Sequence, residues 1–407
     1  PHPDFATQTP APADRGKARG LAFINRIIKN NKLFNKFPDV LITIPRTVVL
    51  STDIFDEFMD HNNLYAVGLS DLPDDVILKK FLNAELPGRV YQDFLSFLSV
   101  SRNHPIAVRS SSKLEDSHYQ PFAGIYSTYM IPRHPDNQAM VKMISDAIKE
   151  VYASVYYRGS KAYMTATANV IDEEKMGIIL QEVCGNRHGN IFYPTISGVA
   201  QSINYYPIGS EKAEDGIAKI AFGLGKLIVE GGLALRFSPR HSRKILQLSS
   251  IETALRDTQK EFRALDLKID SFVPSTDDGV NILTIGINDA NNDAAMKYVA
   301  STYDYNNNIL RDGINHHGKR VITFANVLQH RVFPLAEIVK TLLELGQQEM
   351  NNPANVQVLL ADLKSKGMQV NEVKDPAAFR TSVKSVYDKF RPAIGPELMD
   401  TALKAVQ

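Results

Sequence analysis

Several stretches of this chain gather residue types that could handle a phosphate ester. The densest is Val108-Arg-Ser-Ser-Ser-Lys-Leu-Glu-Asp-Ser117, followed closely by Phe122-Ala-Gly-Ile-Tyr-Ser-Thr128. The apolar run Pro105-Ile-Ala-Val108 reads as a strand that delivers Arg109 into a polar loop. A guanidinium is a planar fork of donors that matches phosphate oxygens. The hydroxyls of Ser110 and Ser111, with loop amides, would satisfy the remaining lone pairs. Gly124 would let the backbone approach a ligand closely. Taken alone, the same residues also describe an ordinary serine-rich turn.

A second stretch, Met176-Gly-Ile-Ile-Leu-Gln-Glu-Val183, is an apolar strand ending in Gln181-Glu182, a polar pair suited to reading an adenine edge or to closing an edge strand. A third pairs Pro194-Thr-Ile-Ser-Gly-Val-Ala-Gln201 with Gly223-Leu-Gly-Lys-Leu-Ile-Val-Glu-Gly-Gly232. Here Ser197, Gly198, Gly223 and Gly225 mark places where a backbone comes close to a ligand. Gly223-x-Gly225 lacks the full dinucleotide fingerprint, and the Walker-type Gly-x-x-x-x-Gly-Lys-Ser/Thr pattern is absent. Gly16-Lys17 precedes a helical pattern, where a lysine either reaches a phosphate or is simply solvated.

The elements that must position these residues alternate between helix and strand. Leu21, Phe23, Ile24, Ile27 and Ile28 recur with helical spacing, and Val40–Ile44 and Thr47–Leu50 read as short strands. Residues 51–59, 75–100 and 138–168 carry amphipathic helical patterns, and 266–295 form an excursion rich in Asp and Asn. The fold class is α+β.

Composition narrows the function. Over 407 residues, 46 basic and 45 acidic side chains leave a net charge of +1, so no general field attracts nucleic acid or anionic lipid. Cys184 is alone, which excludes an internal disulfide and a multi-cysteine zinc site. No apolar run reaches the roughly 18–20 residues of a membrane helix. The opening Pro1-His2-Pro3-Asp4 is followed by no apolar core, and a cytoplasmic location is expected. His316-His317 is the only adjacent histidine pair and reads as a polar loop, as does His188 beside Arg187.

In this order, the segments resemble the nucleotide-binding ATP-grasp region of phosphoenolpyruvate synthase and pyruvate phosphate dikinase, with the closest likeness to the PEP/pyruvate-binding branch. The matching residues are Gly16-Lys17, Val108–Ser111 with Glu115 and Asp116, Phe122–Gly124, Gln181-Glu182, Ser197–Ala200, Gly223–Gly232 and Arg236-Phe-Ser-Pro239. The likeness covers about residues 15–353. It implies a two-lobed, ATP-grasp-like fold that binds Mg2+ and ATP and passes a phosphoryl group to a histidine on a separate swivelling domain. Lys17 and Arg109 would hold phosphates and stabilise charge in transfer. Ser110, Ser111 and Gly124 would shape the phosphate loop, and Gln181 and Glu182 would face adenine and ribose.

The implied organisation is a tail at 1–14, an N-terminal lobe with the phosphate loop at 15–175, a second lobe with the adenine strand at 176–355, and a short helical segment at 356–407. The chain departs from the family pattern near its end. Asn355 and Gln357 stand where metal-binding acids are expected, and an amide lacks the charge that holds a hard cation. The metal ligands are therefore unassigned; Glu182, Glu230 and Asp215 are the carboxylates that could substitute. Residues 357–407 resemble the C-terminus of solute receptors from tripartite ATP-independent transporters. No histidine lies in the family's phosphoacceptor setting, so an active enzyme of this kind would need a histidine-bearing phosphocarrier domain in another chain. The alternative is a catalytically inactive nucleotide-sensing or interaction module.

Overall fold

Period-two alternation builds the first sheet. In Met176–Glu182, residues 176, 178 and 180 are apolar and enter one core, while 177, 179 and 181 take the opposite face. A computed structural model of the chain describes residues 17–101, 103–112, 125–167, 174–290 and 294–352, together with 375, 381 and 384–394. Strands β1 (Thr47–Leu50), β2 (Ile106–Ser112), β3 (Thr128–Ile131) and β4 (Met176–Glu182) form an antiparallel sheet in the order β1-β4-β2-β3. Residue 176 therefore begins a central strand of this first sheet, and the chain passes to the second half only beyond Glu182.

One face of that sheet is covered by helices. Thr52–His61, Asp74–Leu82, Arg89–Val100 and Asn137–Ser154 bury Phe55, Phe58, Phe81, Phe94, Ile144, Ile148 and Tyr152 against Ile106, Val108, Ile178 and Leu180. Phe58 and Tyr152 pack with ring centroids 5.4 Å apart. The helix at 137–154 starts where Asp136 accepts the amides of Gln138 and Ala139. The continuous helical pattern expected through 168 is broken: Tyr157 turns extended, Asp74 Oδ1 accepts the Arg158 amide, and a second helix runs Arg158–Ala166. The breaking residues, Tyr156 and Tyr157, bury their rings in the first core.

The strand expected at Val40–Ile44 does not form. This segment pairs with no sheet, and its apolar side chains Ile42 and Ile44 pack instead on Ile27, Ile28 and Leu33 beside the helix Lys17–Asn30.

The second half uses small antiparallel sheets. β5 (Asn186–His188), β6 (Ile191–Tyr193), β10 (Glu261–Asp266) and β11 (Ile282–Gly286) are ordered β11-β10-β6-β5. β7 (Ser197–Gln201), β8 (Ile217–Ala221) and β9 (Leu235–Phe237) are ordered β7-β8-β9. β12 (Ala300–Asp304), β13 (Ile309–Asp312) and β14 (Lys319–Ile322) are ordered β13-β12-β14. Their shared core centres on Tyr193, Phe222 and Phe262, with Phe222 and Phe262 centroids 4.7 Å apart. This mixture of helices and antiparallel sheets is α+β.

Residues up to Gln347 form one compact unit, and Gln348–Gln407 form another. Of the latter, the helix Lys384–Ile394 is described. Residues 1–14, the turn Phe122-Ala-Gly124, Glu115, Asp116, Asn355 and Gln357 lie outside the described residues.

Candidate functional site

Strand parity sorts the expected site residues onto two faces of the first sheet. Ile106, Val108, Ile178 and Leu180 face the helices, so Arg109 and Ser111 on β2 and Gln181 on β4 face the other way. That second face turns toward the second half of the molecule: Ala107 belongs to the second core and Met130 packs against it. Ser110 and Glu182, each adjacent to a residue on this face, necessarily project from the opposite one. The two pairs Ser110-Ser111 and Gln181-Glu182 are thus each split by the pleat.

Arg109 is held in place. Its Nη1 donates to Gln181 Oε1 at 3.2 Å, and Gln181 Nε2 donates to Thr47 Oγ1 at 2.9 Å. This amide relay spans three neighbouring strands, so the guanidinium enters the site with part of its orientation already fixed. Ser111 is buried, and its Oγ has no hydrogen-bond partner among the described residues. A buried hydroxyl left unpaired costs about 1–3 kcal/mol, so the fold retains a polar group that a ligand could satisfy.

On the reverse face, Lys17 Nζ reaches Ser110 O at 3.3 Å and Ser110 Oγ at 3.4 Å. Lys17 thereby meets the end of β2 from the side opposite Arg109. Glu182 is buried and pairs with Arg46 at 3.9 Å, while its amide donates to Arg46 O.

In the second half, the glycines meet where β7 begins and β8 ends. Ser197 Oγ donates to Ala221 O at 3.5 Å. A Cβ on Gly225 would lie 3.6 Å from Ser197 Cβ, and one on Gly198 would stand 2.9 Å from Lys219 O. Gly223 has φ of +88°, and its Cβ would stand 2.8 Å from the Arg263 carbonyl. The adjoining amides close the turn: Gly223 N donates to Pro194 O and Leu224 N to Arg263 O. Gln259 locks the approach, accepting from Phe222 N at 2.9 Å and donating to Phe222 O at 2.8 Å. Ser197, Gly198, Gly223 and Gly225 are therefore brought together, and position 223 needs glycine both for its backbone and for space.

The segment between β10 and β11 ties this turn to the first sheet. Asp278 Oδ2 accepts the Thr128 amide at 2.9 Å, and Asp278 Oδ1 accepts Lys226 Nζ at 2.8 Å. Thr128 is the β3 register partner of Arg109. Thr47, Lys226 and Asp278 are the residues that sequence reasoning missed. Lys226 was visible as the first residue after Gly223-x-Gly225. Asp278 lies in an Asp-rich excursion with no spacing to single it out.

Titration follows burial in the same region. Glu150, on the helix 137–154, accepts the Ser275 amide at 2.8 Å. Burial is the largest influence on it and pushes its carboxyl up to about 8. Burial and the neighbouring Glu150 also raise the Tyr129 and Tyr157 phenols above their ordinary range.

The carboxylates considered for a metal are dispersed and already paired. Glu182 faces Arg46, Glu230 faces Arg263 at 3.0 Å, and Asp215 faces Arg240 and His241, each at 3.3 Å. Among the described residues, no group of three or more His, Cys, Asp or Glu is placed to hold a metal ion. His316 and His317 are exposed between β13 and β14, and His188 stacks on Tyr193 with centroids 4.1 Å apart. A cavity of about 660 Å3 lined by Asp215, Arg240, His241, Arg331 and Lys340 contains none of the residues expected to bind nucleotide. No helix among the described residues is long and apolar enough to cross a membrane.

A guanidinium with an aligned amide, an unpaired buried hydroxyl and a tight glycine turn together suit an anionic, polyoxygenated ligand. Comparison with known proteins agrees with that chemistry. The profile of the family described as "Pyruvate phosphate dikinase, AMP/ATP-binding domain" matches residues 16–261, more than half of the chain. A Bacillus subtilis (strain 168) protein described as "Uncharacterized phosphotransferase YvkC" is 27% identical over 192 residues, 47% of this chain and 21% of that protein. The chain therefore aligns with about a fifth of that relative's length. It belongs to the pyruvate phosphate dikinase AMP/ATP-binding domain family.

Proposed function

We propose that this member of the family is an ATP-grasp-like module that binds ATP between its two halves and serves transfer of a phosphoryl group to a histidine carried by another domain or chain. The observation that carries this reading is the face shared by Arg109, Ser111 and Gln181, turned toward the half that holds the glycine turn. Arg109 would hold phosphate oxygens with its guanidinium. Ser111 would donate the hydroxyl that the described protein groups leave unused. Gly198, Gly223 and Gly225 would give the ligand a backbone wall without side chains, next to Ser197. Gln181 would orient Arg109 and meet the base or ribose, whereas Ser110 and Lys17 would act from the far side of β2. Glu182, turned to the opposite face, would act on the nucleotide only through the strand it ends. Stabilising the charge that develops on the transferred group is the main task of such a site.

A second reading, a nucleotide sensor without transfer activity, is favoured by the same structure. Asn355 and Gln357 are neutral, and Glu182, Glu230 and Asp215 are each committed to a cation. Magnesium would supply charge neutralisation on the phosphates in the first reading and is dispensable in the second.

The test is calorimetric titration of ATP into the wild type and Arg109→Ala, with and without magnesium. Loss of a hydrogen bond to a charged group costs about 1.5–3 kcal/mol, so Arg109→Ala should weaken ATP binding by roughly 10- to 100-fold. Binding that requires magnesium supports transfer, and binding indifferent to it supports sensing. Equal ATP affinity in wild type and Arg109→Ala would overturn the site.

A further inference from the structure

The ion pair between Lys226 and Asp278 joins two parts of the candidate site that the sequence keeps far apart. Lys226 follows Gly225 directly, so its backbone belongs to the glycine turn beside Ser197. Its ammonium lies 2.8 Å from Asp278 Oδ1. Asp278 in turn is fixed to the start of β3, because Oδ2 accepts the Thr128 amide opposite Arg109. The lysine therefore leaves the second half and ends at the level of Arg109 on the first.

The segment carrying Asp278 is firmly seated. Phe272 enters the first core against Tyr129, with ring centroids 6.4 Å apart. Ser275 is gripped through both of its backbone groups, its amide donating to Glu150 and its carbonyl accepting from the Tyr129 hydroxyl at 2.8 Å. Asn281 Nδ2 donates to Met130 O at 2.7 Å. Asp278 is thus a fixed marker of where the ammonium sits rather than a mobile counter-ion. The Lys226 side chain keeps 22% of its surface exposed. An ammonium has three donors, and only the one aimed at Asp278 is used among the described residues.

We propose that Lys226 is a further phosphate-contacting residue of the nucleotide site, the counterpart on the glycine turn of Arg109 on the first sheet. This rests on the nucleotide reading given above. With one donor anchored to Asp278, the two others are presented to anionic oxygens lying between the turn and β2. The lysine then closes the phosphate end from the side that Arg109 leaves open. Its compact charge tolerates several oxygen positions, where the guanidinium of Arg109 demands one plane.

The test titrates the full chain with ATP and with adenosine, using wild type, Lys226→Gln, Lys226→Arg and Arg109→Ala. Lys226→Gln should lower ATP affinity by about tenfold, the size of one charge-assisted hydrogen bond. Adenosine, which has no phosphate, should bind it as it binds wild type. Lys226→Arg keeps both the charge and the pairing with Asp278, and should recover most of the ATP affinity. Unchanged ATP binding in Lys226→Gln, with Arg109→Ala weakened, overturns the role of Lys226 and leaves the nucleotide site standing. Equal losses for ATP and adenosine make Lys226 a prop of the turn and overturn it likewise. If wild type binds no ATP, or neither Lys226→Gln nor Arg109→Ala weakens it, the nucleotide reading falls together with this one.

Discussion

Glu150→Gln should remove a large pH dependence from the stability of the N-terminal core. Glu150 is fully buried, and its Oε1 accepts the Ser275 amide while Oε2 has no hydrogen-bond partner among the described residues. Asp146 on the same helix and the Tyr129 and Tyr157 phenols are the titratable groups around it. None of these is a cation, so nothing there repays the burial of a carboxylate charge. The carboxyl accordingly titrates near 8 in the folded protein against 4.5 in the unfolded chain. Below the unfolded value both states hold the proton and the group has no effect. Between 4.5 and about 8 only the folded state holds it, so stability falls as pH rises. At about 1.4 kcal/mol for each pH unit, the accumulated loss by the top of this window is about 5 kcal/mol.

Glutamine keeps the acceptor for Ser275 and carries no charge at any pH. Urea unfolding followed by far-UV circular dichroism, chosen because the chain has no tryptophan, measures the difference. The two proteins should be similarly stable near pH 4.5, and the variant should gain steadily over wild type up to about pH 8. Parallel stability curves across that window would refute the reasoning. They would mean that the Glu150 carboxylate is solvated or paired in the folded state.

Ser111→Ala should stabilise the ligand-free protein by about 1 kcal/mol, because it deletes a buried hydroxyl that pairs with no described group, and the same change should weaken ATP binding; denaturation and calorimetry read the opposite signs. Gly223→Ala should cost about 2–4 kcal/mol in urea denaturation, since φ of +88° is unfavourable for alanine and the fixed Arg263 carbonyl stands in the way of its Cβ. Phe58→Ala, deep among Phe55, Phe81 and Tyr152, should cost about 3–5 kcal/mol by the same assay while leaving the ATP affinity of the folded fraction unchanged.

Local chemistry was open to inspection in the sequence. The apolar run at Met176–Leu180 announced a buried strand ending in two polar residues, and the helical spacing of Phe55 and Phe58 announced their burial. Arg109, the serines after it and the paired glycines were recognisable because side-chain chemistry and backbone freedom are properties of residue type. Their order along the chain identified the family without any coordinates. Tertiary structure decided which of these residues meet. Ser110 and Ser111, or Gln181 and Glu182, look equivalent in sequence, and the pleat of the strand sends them to opposite sides. Val40–Ile44 had the composition of a strand, but a strand needs a partner, and these residues packed against a helix instead. Thr47 with Gln181, or Asp278 with Thr128 and Lys226, lie 134, 150 and 52 residues apart. No local rule links positions so distant, because their contact depends on how two cores and the segment between β10 and β11 settle against each other.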